Sequence, residues 1–107
     1  MTNITHYSRH TGVNPEKFYK TTLFSAERLM IGLNCLEPGQ VQKIHTHGDQ
    51  DKFYLVLEGT GSFTIGEEVA EAGPGHVLWA AAGVPHGVTN TGDEQLVVFM
   101  GIAPAPK

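Results

Sequence analysis

Cysteine is almost missing from the sequence: Cys35 is the only one. An intrachain disulfide is therefore excluded, no oxidising compartment is needed, and the cytoplasm is the expected location. Basic residues are also few. Seven Lys and Arg against eleven Asp and Glu give a formal net charge of -4 and an isoelectric point near 5.8, with no basic cluster to neutralise a phosphate backbone or an anionic lipid surface. Neither nucleic acid nor membrane is an expected partner. Nowhere do about 18 apolar residues run together, as a membrane-crossing helix requires, and the opening MTNITHYSRHTG offers no apolar core for a signal peptide.

What the chain does have is turn-formers: 13 Gly and 6 Pro in 107 residues, a length that fits one domain with one core. Between the turns the apolar residues alternate. From Arg28, the residues Leu29, Ile31, Leu33 and Cys35 form one apolar face of a half-buried strand, which Glu37-Pro38-Gly39 closes. Further runs at 41–47, 52–57, 62–65, 68–71, 77–80, 86–90 and 95–102 are separated by EGTG, GEE, AGPG, AAGVP and NTGDE. About eight short strands at this spacing predict an all-β sandwich or small barrel. Ahead of them, Asn14-Pro15-Glu16 is a helix-start signal worth one short turn at most. The chain divides into an N-terminal arm over 1–27, a barrel over 28–103 and a Pro-limited tail over 104–107.

Two stretches carry a more specific pattern. In the first, Gly39, His45, His47 and Gly59 stand at fixed separations, with Lys52 at the one position between His47 and Gly59 that breaks the pattern. In the second, Gly75, Ala81, Gly83, His86 and Asn90 follow in order. Their spacing resembles the paired motifs of the cupin superfamily, small single-domain members in particular. Lys52 replaces the family's glutamate and Ala81 its proline. The resemblance implies a cupin jelly-roll β-barrel over most of the chain, a homodimer and a place in secondary metabolism.

Residues i and i+2 of a strand lie on one face about 6.6 Å apart, so the imidazoles of His45 and His47 can converge on one ion. The resemblance places His86 opposite that pair. Three neutral imidazoles suit a divalent transition metal, Fe, Mn, Ni or Zn, with open positions left for substrate. Gln50 and Asp51, just ahead of the altered position, are candidate oxygen donors in place of the glutamate. Taken one at a time, each histidine is better explained as a surface residue, and it is the three together that point to a metal; a solvated loop explains Gln50 and Asp51 as well as ligation does.

Lys52 has two readings. Facing inward with Tyr54 and Val56, it would hold a substrate anion beside the metal; with the strand starting one residue later, it would reach solvent instead. Lys52 and Tyr54 are the candidate substrate-binding residues and the only candidates for a catalytic role. Leu33, Phe63, Trp79, Phe99 and Met100 are core candidates, Cys35 a buried inert thiol, and His6, His10 and His76 are expected in solvent. Two functions from different classes follow. One is a metal-dependent enzyme, a dioxygenase, isomerase, decarboxylase or cyclase acting on a small anionic organic substrate. The other is a non-catalytic barrel that binds or senses a small molecule. On assembly, the apolar FYKTTLF stretch of the arm and the strand 53–57, apolar on both faces, point to pairing with a second copy.

Overall fold

The computed structural model describes residues 2–107. Nine strands build it: β1 (Tyr19–Ser25), β2 (Met30–Leu36), β3 (Val41–His45), β4 (Asp51–Glu58), β5 (Gly61–Ile65), β6 (Glu68–Ala72), β7 (Val77–Ala80), β8 (His86–Thr89) and β9 (Leu96–Ala103). They form a five-stranded sheet ordered β1-β2-β9-β4-β7 and a four-stranded sheet ordered β3-β8-β5-β6, antiparallel throughout. Several sequence neighbours thus fall in different sheets, which wraps the chain into the jelly roll that the motif spacing implies.

The extra strand is β1, inside the segment read from the sequence as an arm. Its Tyr, Thr, Leu and Phe residues suit a pleated, half-buried surface, and it pairs with β2 from Met30 to Cys35. The turn expected at Asn14 is present without a helix: the Glu16 N–H donates to Asn14 Oδ1 at 3.1 Å. Upstream residues strap the outer face of the sheet. The Tyr7 hydroxyl donates to Glu58 Oε2 at 2.7 Å, and Gln95 Nε2 to the Gly12 carbonyl at 2.8 Å.

Beneath this strap Leu33, Cys35 and Val97 form a small buried cluster, packed by Tyr7, Tyr19, Leu23, Leu57 and Phe99. That reverses one expectation. The apolar face of β2 turns outward under the arm, and the row of Met30, Gly32, Asn34 and Leu36 faces the barrel interior. β2 is therefore buried on both faces along 32–36, not half-buried. A second correction concerns Trp79, which is 58% exposed: alternation along β7 turns Leu78 and Ala80 inward and Trp79 to the outer face of the sheet, across from Phe53 at an edge the arm does not cover. Leu33, Phe63 and Met100 are buried as expected, while Phe99 packs from a half-buried position. His6 and His76 are exposed, and His10 is half-buried with its Nε2 2.7 Å from the Thr5 hydroxyl.

Inside the barrel, apolar residues close one end and polar ones open the other. Leu36, Leu96, Val56, Val98, Phe63 and Val88 pack into the main core. Lys52, Ile102 and Met30 form an aligned cross-strand row towards the opposite end, where β4, β9 and β2 lie side by side. Burying a large apolar side chain contributes about 1.5–3 kcal/mol, so the closed end carries the stability and the open end is free to carry chemistry. The tail is part of that end: Ala105 is buried, and Gln50 Nε2 donates to the Pro104 carbonyl at 2.9 Å.

Candidate metal centre and cavity

Both motifs contribute to one place. His45, the last residue of β3, is the direct cross-strand partner of His86, the first residue of β8. His47 lies beyond the end of β3 rather than on it, and its carbonyl accepts a hydrogen bond from Gly83 N–H at 2.9 Å. That bond joins the first motif to the second, and it turns His47 back towards the pair. The three ring centroids are 4.4 to 5.4 Å apart, and one nitrogen from each ring lies within 4.8 Å of the others.

Carbonyl oxygens orient two of the rings. Nδ1 of His45 donates to the Lys43 carbonyl at 2.7 Å, and Nδ1 of His86 to the Val84 carbonyl at 2.9 Å. Because a carbonyl only accepts, the proton of each neutral ring sits on Nδ1 and the Nε2 lone pair is left for an ion. His86 is 2% exposed, and its Nε2 is buried without a partner. Leaving such a group unsatisfied costs about 1–3 kcal/mol, a cost that an ion bound by the three nitrogens removes. Burial, with His45, Lys52 and His47 nearby, pushes the His86 pKa down to about 4 against the pull of the Val84 carbonyl, and burial likewise lowers that of His47. Both rings are held in the neutral form that ligates metal. The donor set therefore fits a metal ion.

The candidate residues that follow His47 within the first motif separate cleanly. Asp51 is exposed, and its Oδ1 accepts from the Ala82 N–H at 2.8 Å; strand alternation turns it away from the histidines, so it is no replacement for a missing carboxylate. Gln50 is close enough to act on His47, and its Nε2 donates to the Pro104 carbonyl of the tail. Lys52 points inward. It is 4% exposed, with Nζ 4.9 Å from the centre of the Tyr54 ring, since β4 begins at Asp51 and so carries Lys52 on the same face as Tyr54 and Val56. Burial and the neighbouring Lys20 push its pKa down to about 8. Tyr54 is fully buried, and its hydroxyl donates to Gln42 Oε1 at 2.8 Å. Burial raises its pKa, so it is a fixed cross-barrel bridge rather than a free phenol.

A cavity of about 470 Å³ opens over this floor, lined by His45, His47 and Gln42 on one side and by Lys52, Asn34 and Lys20 among those on the other. Its size falls in the roughly 300–1,000 Å³ range of small-molecule sites. The sequence reading missed Asn34, Gln42 and Lys20. Asn34 was hidden by the reversed face of β2, Lys20 by the strand inside the arm. Gln42, three residues before His45, falls on the opposite face by simple alternation, and a register shift between Gln42 and His45 brings both to the cavity.

A family model described as "Cupin domain" matches residues 32–102. The chain belongs to the cupin family. An uncharacterised protein of Streptomyces coelicolor is 34% identical to this cupin over 79 residues, covering 71% of this chain and 74% of that one. The crystal structure of a Thermus thermophilus protein superposes with a TM-score of 0.94 at 40% identity, over 98% of this chain and 100% of the other. A predicted oxalate decarboxylase of Thermotoga maritima shares the fold at 23% identity, with a TM-score of 0.76 over 80% of this cupin and 79% of that protein. The second motif's Asn90 is structural here: its Nδ2 donates to the Leu36 and Glu94 carbonyls, and its Oδ1 accepts from Gly92 N–H.

Proposed function

We propose that this cupin holds one divalent transition metal, iron, manganese, nickel or zinc, on His45, His47 and His86, and acts as a metal-dependent enzyme on a small anionic organic molecule. The observation that carries the reading is the buried, unpartnered Nε2 of His86 beside two further imidazoles at the wall of a cavity. When bound, such an ion supplies Lewis-acid polarisation of a substrate oxygen, with or without redox chemistry. The chain's own contribution is to orient the rings through Lys43 and Val84, to place the Lys52 ammonium where it pairs with an anion, and to line the upper wall with Met30, Met100 and Ile102, which exclude water from the substrate's apolar part.

A second reading has an observation of its own. Among the described residues no carboxylate lines the cavity and the Tyr54 hydroxyl is bonded to Gln42, so apart from the histidines and the lysines none of them stands ready to move a proton. That favours a barrel that binds its ligand without converting it. Metal analysis of the purified protein tests the site: about one transition metal per chain is expected, with loss of most of it in His45→Ala, His47→Ala and His86→Ala while the β-sheet circular dichroism persists. Full metal content in all three variants would remove the site.

A further inference from the structure

The described cavity is lined by positive charge without negative. None of its twelve lining residues is acidic, and Lys20 and Lys52 both line it. Lys52 is buried, and among the described residues the charged side chain that acts on it is Lys20, of the same sign. A buried cation without a counter-ion is costly, and an ion on the three histidines adds positive charge to the same space. The negative charge has to arrive with the ligand.

A second polar group points to where the far end of that ligand rests. Asn34 is 4% exposed, lines the same cavity, and has an amide nitrogen with no hydrogen-bond partner. It is the direct cross-strand partner of Lys20, so an amide donor and an ammonium stand side by side on the inward face of β1 and β2. Lys52 lies across β9 on β4. The strands carrying the two lysines are about 14 Å apart across the sheet, and the Lys20–Asn34 row lies four residues, about 13 Å, along the strands from the row of Lys52, Ile102 and Met30. Both long side chains line the one cavity, and Lys20 reaches near enough to act on the Lys52 ammonium, so the two charged ends close much of that diagonal.

We propose that the cavity binds a small dianion, with one anionic end at Lys52 beside the three histidines and the other at Lys20 and Asn34. The inference rests on the reading above for the histidine end only. The ligand class is an organic acid with two anionic groups on a short carbon chain, the second group being a carboxylate or a phosphate.

Calorimetric titration tests this with butyrate as the monoanion, succinate and glutarate as dicarboxylates and phosphoglycolate as the mixed case, on metal-free and zinc-loaded protein. The dianions are expected to bind at least about tenfold more tightly than butyrate, and the better of the dicarboxylate and the phosphate names the second group. Lys20→Met, on an exposed residue, should abolish the dianion preference and leave butyrate unchanged; Asn34→Leu should do the same, and Lys52→Met should weaken both classes. Equal affinity for butyrate and succinate, or a full preference in Lys20→Met, would overturn the proposal. Metal content measured on the same samples separates the two readings. Dianion preference in protein that takes up no metal upholds this inference and removes the metal site, whereas metal uptake without the preference does the reverse.

Discussion

Lys52 shows how one residue changes what a shared geometry asks for. The glutamate implied by the family resemblance would bring a negative charge to the ion; a buried lysine brings the opposite sign and shifts the demand for an anion onto the ligand. In metal-free and anion-free protein this is a liability, because folding strips the ammonium of water. Lys52→Met keeps the length and drops the charge, so it is expected to stabilise that form at pH 7 by about 1–3 kcal/mol in urea denaturation. The sign of the pH dependence follows from the same group. Its folded pKa of about 8 lies below the ordinary 10.5, so between those values the unfolded chain binds more protons and stability rises with pH. Wild-type protein should gain urea resistance as the pH is raised through that window, and Lys52→Met should lack that gain. A flat wild-type profile would mean that the lysine escapes to solvent. Such an escape was one of the two readings open from sequence, because strand alternation fixes a residue's face only when the first residue of the strand is known.

At the scale of elements, the fold was largely legible because turn signals and period-two alternation survive in almost every strand. The misreadings share one cause, which is that sequence shows which residues are apolar and not what covers them. β2 was assigned the wrong inner face because Leu33 and Cys35 are buried against an arm, and the barrel side carries Asn34. Trp79 was a core candidate and lies on the uncovered outer face of the sheet. The three histidines were legible by spacing, but His47 converges through a backbone bond to Gly83 rather than through strand alternation. The arm's covering role makes a checkable prediction. Tyr19→Ala removes part of the lid over Cys35, whose thiol is buried with a raised pKa, and should cost about 2–4 kcal/mol of stability. It should also speed labelling of Cys35 by a thiol reagent in mildly alkaline buffer, while metal content is unchanged. Labelling as slow as in wild type would show that the arm is not the cover.

Across the whole molecule, the outer face of the five-stranded sheet is unevenly clothed. The arm covers the β1–β2–β9 side, while Phe53 and Leu55 of β4 stand across from Trp79 and Val77 of β7, the latter two 58% and 70% exposed. We propose that this apolar strip is where a second copy docks, as the sequence reading expected for a homodimer. Light scattering should give twice the chain mass, and Trp79→Glu should shift it to monomer with the metal site intact; wild-type protein that is monomeric at high micromolar concentration would contradict this.

The C-terminal residues carry a practical consequence. Pro104 is tied to Gln50 and Pro106 lines the cavity, so the last residues stand at the entrance by which a ligand reaches the histidines. The strap from Tyr7 and Gly12 is anchored instead at Glu58 and Gln95, towards the closed end of the barrel. An affinity tag appended after Lys107 is therefore expected to obstruct or recruit ligands at the very opening under study. The same tag at the other terminus leaves that doorway clear, and binding measured with the two tag positions should differ for this reason alone.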